Sequence, residues 1–186
     1  DVSSSGKPTG TPPAGLAGIH RFTIRATDQA GAFAETELVI EVSAADLPLP
    51  WDFTQIGGGA RKSKAAQKSG TFALEAAGNL TGAADAGAFV WQTLAGDFEI
   101  VVRVADLADA ERTARAGLMI RDSLAANSKH IFLGVNGGGD FRWVRRARTG
   151  GDAVMKTAGA GSMPGAWLRL VRKGGTITAS KSANGS

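Results

Sequence analysis

The sequence predicts an all-β protein. Three observations carry this: nearly every patterned segment alternates with period two, the apolar runs are short and separated by strong turn signals, and no segment holds a clean helical apolar stripe. Of 186 residues, 26 are glycine, which suits a chain that turns often. Apolar residues make up 43%, enough to build a core and to exclude a disordered chain. Cysteine is absent, which excludes a disulfide framework and a thiolate metal site. No apolar run reaches the roughly 18 residues of a membrane-spanning helix, so no insertion into a membrane is expected.

Taken in order, residues 20–43 read as a hairpin. Phe22, Ile24 and Ala26 alternate with Arg21, Thr23 and Arg25; Leu38, Ile40 and Val42 alternate with Glu37, Val39 and Glu41. Gly31 lies near the middle of the connection. The segment LPLP at 47–50 interrupts hydrogen bonding and marks a linker. Strands follow at 87–94, 97–104, 116–124 and 130–135. In the second of these, Phe98, Ile100, Val102 and Val104 face one way and Glu99, Val101, Arg103 and Ala105 the other. The stretch NGGGD turns the strand 130–135 into 141–146, and Lys173-Gly174-Gly175 joins two strands within 167–182. The best helical competitor, 105–117, lacks an apolar stripe and reads as a loop. Asn184-Gly185 is a further hairpin signal, and the opening DVSSSGKPTG has the look of a chain interior, so the chain is expected to be part of a longer one.

Charge divides the chain. Residues 1–50 hold three basic and six acidic residues, net −3; residues 51–186 hold 18 basic and 11 acidic, net +7. The asymmetry predicts two units with different surfaces: a partial module at 1–46, the linker at 47–50, and a larger β sandwich from 51 to 186. A basic surface attracts nucleic acid, anionic glycans or cell surfaces. No nucleic-acid-binding motif accompanies it, so nucleic acid is not the expected partner.

The first module carries Gly10-Thr11-Pro12, Phe22, Thr27-Asp28 and Gly31, and so resembles the C-terminal half of bacterial Ig-like, or cadherin-like, repeats. The resemblance implies an extracellular spacer or adhesion module. The segments WDFTQIGGGARKSKAAQKSGTFALEAAGNL, AGAFVWQTLAGDFEIVVRV, ARAGLMIRDSL and WLRLVRKGGTITASKSANG occur in an order that resembles a bacterial family with the concanavalin A-like lectin/glucanase jelly roll, of unknown function. That resemblance implies a jelly-roll sandwich, incomplete at its C-terminus, in a secreted or cell-surface bacterial protein beside polysaccharide-degrading or adhesive modules.

Catalytic chemistry finds little support. A retaining glucanase needs two carboxylates about 5 Å apart, and the alternating triple-acid strand motif is missing. Asp97 and Glu99 alternate but read as structural or solvated. His20 and His130 are the only histidines, neither in a nucleophile context; His130 opens a strand and reads as half-buried or surface. No cofactor is expected. Calcium is the one ion that loop carboxylates such as Asp28, Asp85, Asp106, Asp109 and Asp152 could hold, without the spacing of a calcium loop. The glycine run 57–62 lacks the order of a phosphate loop.

The stretch DFRWVRRAR at 140–148 places Phe141, Trp143, Arg145 and Ala147 on one strand face and Arg142, Val144, Arg146 and Arg148 on the other. One reading puts the two aromatics in the core and Arg142, Arg146 and Arg148 in water, because arginine is rarely buried unpaired. The other puts Trp143 and Arg145 on a concave sheet face, where an indole stacks on a sugar and a guanidinium grips a carboxylate or sulfate. Gln92, Arg103 and Arg121, opposite the aliphatic sets, would complete that groove. The expected function is therefore a non-catalytic carbohydrate-binding or adhesion module for a polysaccharide or glycan, including an anionic one. A glycan hydrolase or its accessory domain, and a structural spacer, are the alternatives.

Overall fold

The computed structural model describes residues 18–42, 47–48, 50–58, 63–107, 111–161, 163–182 and 184–185. Gly10-Thr11-Pro12, Asp109 and positions 59–62 of the glycine run lie outside them. Among the described residues there are thirteen strands and no helix, and every paired strand is antiparallel.

Strands β1 (Gly18–Thr27) and β2 (Phe33–Val42) form the expected hairpin, with Thr27 opposite Phe33. Asp28 shapes its turn: Oδ1 accepts from the amides of Ala30 and Ala32, each at 2.9 Å. That is an ordinary use of a turn aspartate. One face gathers Phe22, Ile24 and Ile40, all exposed. The other carries the ion pairs Arg21–Glu37 at 2.7 Å and Arg25–Glu35 at 2.6 Å.

The rest is sandwich-like. Strands β8 (Arg115–Arg121), β9 (His130–Asn136), β10 (Asp140–Arg146) and β11 (Val154–Ala160) form a meander in the order β11-β10-β9-β8. A second sheet has the order β13-β12-β7, built from β7 (Phe98–Val104), β12 (Ala166–Lys173) and β13 (Thr176–Ser182). Alternation explains how the two sheets meet. Leu118, Leu133, Val135 and Phe141 point from the first sheet, and Val104, Ala166, Leu168 and Leu170 from the second, into one buried cluster. Val135, Ala166, Leu168 and Leu170 have no exposed surface. At about 25 cal/mol per Å² of apolar surface, such burial is the main stabilising term.

Strand β3 (Asp52–Ile56) pairs with β6 (Gly87–Trp91), and β4 (Lys64–Lys68) with β5 (Thr71–Glu75). Trp91 Nε1 donates to the Thr54 hydroxyl at 3.0 Å, and Trp51 meets Phe72 edge-on at 5.2 Å. The segment from Gly82 to Phe89 lies on the outer face of the four-stranded sheet. It is tied there by the Asp85 amide on Ala126 O at 2.8 Å and by the Ala153 amide on Gly82 O at 2.8 Å. No helix among the described residues is long and apolar enough to cross a membrane.

Candidate binding face

Two sheet faces point away from the core, and they differ in what covers them. Among the described residues no strand covers the outer face of the three-stranded sheet, where Glu99, Val101, Arg103 and Arg169 are exposed. Its composition follows from parity: Leu168 and Leu170 turn inward, so Trp167, Arg169 and Val171 turn outward, as do Glu99, Val101 and Arg103 beside Ile100, Val102 and Val104. Cross-strand register then builds rows. Arg103, Trp167 and Ser182 form one; Val101, Arg169 and Ser180 the next; Glu99, Val171 and Thr178 the third.

The chemistry of these rows is uneven. Glu99 and Arg169 form a two-pronged pair, Arg169 Nε donating to Oε1 at 2.9 Å and the terminal nitrogen to Oε2 at 2.7 Å. Hydrogen bonding from Arg169 holds the Glu99 carboxyl below its ordinary value. Arg103 is exposed, with no carboxylate at ion-pairing distance among the described residues. Trp167 is half-buried, and Gly185 seats against its indole; a Cβ on Gly185 would come 3.1 Å from Cε2, and the backbone there has φ +86°. The row thus presents a fixed, half-buried indole with an exposed guanidinium on one side; on the other, the Ser182 hydroxyl is spent on the turn, donating to Asn184 Oδ1 at 2.7 Å and accepting from the amides of Asn184 and Gly185 at 3.1 and 3.0 Å. Two strand spacings separate its ends, about 10 Å, the length of a short run of sugar rings.

The outer face of the four-stranded sheet is covered, and its charges are internal. Arg146 has a side chain with no exposure, against 1% for Asp85. Both oxygens of Asp85 accept from its terminal nitrogens at 2.8 Å. Arg146 also donates to Gly151 O at 2.8 Å, Gly82 O at 2.9 Å and Ser128 O at 3.0 Å. Every donor of the guanidinium has a partner, which is the condition for burying it. The buried His130 ring turns Nδ1 to Asp85 Oδ2 at 3.2 Å, and its Nε2 is buried with no partner among the described residues. Burial pushes the Asp85 carboxyl up, but hydrogen bonds and charge from His130 and Arg146 outweigh it and hold the carboxyl below its usual range. This cluster holds the Gly82–Phe89 segment to the sheet.

The five residues expected to form a groove fall on different surfaces. Arg121 belongs to the buried cluster, its side chain 3% exposed and 3.4 Å from Asp85 Oδ2, with carbonyls of Ser123 and Ala125 accepting at 2.7 and 2.6 Å. Burial lowers its pKa, opposed by the Asp85 charge. Trp143 packs against the core between the sheets. Arg145, on the same side of β10, is exposed beyond it. Gln92 follows the end of β6, half-buried. Arg103 alone lies on the open face. Two further expectations are corrected: Arg146 is inside rather than in water, because Asp85 and three carbonyls take its donors, and His130 is buried at 3% rather than half-buried. The reading of Asp97 and Glu99 as structural agrees with their partners: Asp97 accepts from the Gly174 amide at 2.7 Å and Glu99 holds Arg169. Among the described residues no three His, Cys, Asp or Glu side chains cluster to hold a metal. Trp167 escaped the sequence reading although its parity against Leu168 and Leu170 marks it as outward. Compared with protein-family models, with curated proteins and with solved structures, the chain matches none.

Proposed function

We propose that the sandwich is a non-catalytic carbohydrate-binding or adhesion module of a secreted or cell-surface bacterial protein, with a concanavalin A-like jelly-roll architecture. It binds polysaccharide on the outer face of the three-stranded sheet. The observation that carries this is the neighbouring pair Arg103–Trp167, an exposed guanidinium beside a half-buried indole that Gly185 holds in place. An aromatic plane offers apolar surface to the axial hydrogens of a sugar, and the flanking Arg103 guanidinium bonds its hydroxyl or acid substituents. Strands fix these side chains more firmly than a loop would.

The test is a glycan array at low and high salt, followed by titration of the best glycan against Trp167→Ala and Arg103→Gln. Trp167→Ala is expected to weaken binding about tenfold or more, as loss of a central aromatic contact does, with the thermal midpoint largely kept. Binding that survives both changes, or no glycan bound at either salt, rejects this face. Binding confined to low salt reduces it to general attraction of polyanions.

A further inference from the structure

The cover on the four-stranded sheet lies over its Arg121–His130–Arg146 end. Met119, Phe132 and Val144 form the next row, and beyond it come Gly117, Gly134, Arg142 and Thr157, then Arg115 beside Asn136. Parity puts all of these on the outer face, since Leu118, Leu133, Val135 and Phe141 turn inward. Gly117 and Thr157 are exposed, so solvent reaches this end. Strand β13 lies on the other side of the sheet, where Lys181 meets the inward Phe141 ring.

Three guanidinium groups stand here. Arg142 donates to Asp140 Oδ2 at 2.8 Å and to the Thr157 hydroxyl. Asn136 fixes that carboxylate's residue, its Oδ1 accepting from the Asp140 amide at 2.7 Å. Arg112, in the loop before β8, lays its side chain over Gly138; a Cβ on Gly138 would lie 3.4 Å both from Arg112 Nε and from Asn136 Oδ1. Arg115 Nε is buried and has no hydrogen-bond partner. Among the described residues neither Arg112 nor Arg115 has a carboxylate at ion-pairing distance. Burial lowers the Arg115 pKa, and the like charge of Arg142 lowers it further. Arg146, buried on the same face, has every donor taken. Arg115 breaks that pattern, and a buried donor left unpaired calls for an acceptor.

We propose that Arg112, Arg115 and Arg142 form a site for a tetrahedral dianionic oxyanion, a sulfate or phosphate group, with Arg115 Nε as its innermost donor. Three guanidinium groups against Asp140 leave two positive charges, which a dianion neutralises. They come from β8, β10 and the loop, and so offer donors from separate directions. A carboxylate, planar and singly charged, is satisfied by one arginine fork and leaves the others unmet. This site lies on the opposite sheet from the proposed glycan face and does not rest on that reading.

The test is calorimetric titration of the whole chain with inorganic sulfate, inorganic phosphate, glucose 6-phosphate and acetate, at constant ionic strength in chloride. Sulfate and phosphate are expected to bind about tenfold or more tighter than acetate. Tighter binding of glucose 6-phosphate than of inorganic phosphate assigns the group to a larger ester; weaker binding assigns it to the free ion. Arg115→Met keeps an apolar stem and removes the unpaired donor. It should keep the thermal midpoint in chloride, lose about tenfold or more in affinity, and lose the rise in midpoint that sulfate gives the unchanged chain. Lys173→Gln, which removes an exposed charge at the β12–β13 turn, should leave binding intact. Equal weakening by the two variants, or sulfate bound no better than acetate, overturns the proposal. So does sulfate binding that appears only in Asp109→Asn or Glu111→Gln, since an acid of the preceding loop would then own the site.

Discussion

The outer faces of the two sheets carry the same residue types and handle them in opposite ways. On the four-stranded sheet, Arg146 and Arg121 lie under the Gly82–Phe89 segment and are bound by Asp85 and a set of carbonyls. On the three-stranded sheet, Arg103 and Arg169 stand in water, one without an acid partner among the described residues and one held by Glu99. The difference lies in the cover and not in the strands. A covering segment forces each buried charge to find a partner, because an unpaired one costs several kcal/mol. A face left open places no such demand and leaves its side chains able to meet a ligand.

The sharpest way to break this contrast is Asp85→Ala. It strands two buried guanidinium groups, and about 3–5 kcal/mol of stability should go with it. Urea unfolding would measure the loss. Replacing the pair together, Asp85→Leu with Arg146→Met, should recover only part of it, because Arg121 stays buried without its carboxylate. A loss near zero for Asp85→Ala would mean that water already reaches the cluster. Next in size is Leu168→Ala, which opens a cavity at a site of no exposure and should cost about 2–5 kcal/mol. Its chain neighbour Trp167, on the opposite face, should cost less when truncated and show its effect in glycan titration instead. Similar unfolding losses for the two would erase the distinction between the faces.

Acid provides a third test. The Asp85 carboxyl is held below its ordinary 3.8 in the folded protein. A depressed carboxyl contributes stability that is complete above its unfolded value and is lost as pH falls through the folded one. Stability should therefore fall as pH drops below about 4, and the part due to this residue should vanish in Asp85→Asn. Unfolding midpoints at pH 5 and pH 3 in the two proteins would show it. An acid-induced loss equal in both would assign it to other carboxylates.

How much of this the sequence disclosed depended on the range of the physics involved. Alternation is local, so β7, β9, β10, β12 and β13 were legible, as was the turn between Lys173 and Thr176. The same parity carried the outward position of Trp167, since Leu168 and Leu170 on either side of Arg169 must turn in. Strand β11, VMKTAGA, was missed because it is an exposed edge strand with no alternating apolar pattern to keep. Strands β4 and β5 were missed for a related reason: alanines and exposed side chains make a weak signal. The burial of Arg146 could not be read from its neighbours, because its partner Asp85 lies 61 residues away. DFRWVRRAR thus alternates as predicted, while the fate of each arginine was decided by segments far along the chain.

The smallest effect on stability belongs to Glu99→Gln, and it bears most directly on function. Glu99 and Arg169 are about half exposed, with side-chain exposures of 48% and 45%. Water and salt already screen such a pair, so the unfolding midpoint should barely move and any change should fade in high salt. The substitution also frees the Arg169 guanidinium on the row next to Arg103 and Trp167. If the open face binds an anionic glycan, Glu99→Gln should strengthen that binding, with a steeper dependence on salt, while a neutral glycan is unaffected. Titration of both glycans against the variant measures this. Weaker anionic binding would mean that Glu99 acts by holding Arg169 in place, and that the face depends on an ordered guanidinium more than on added positive charge.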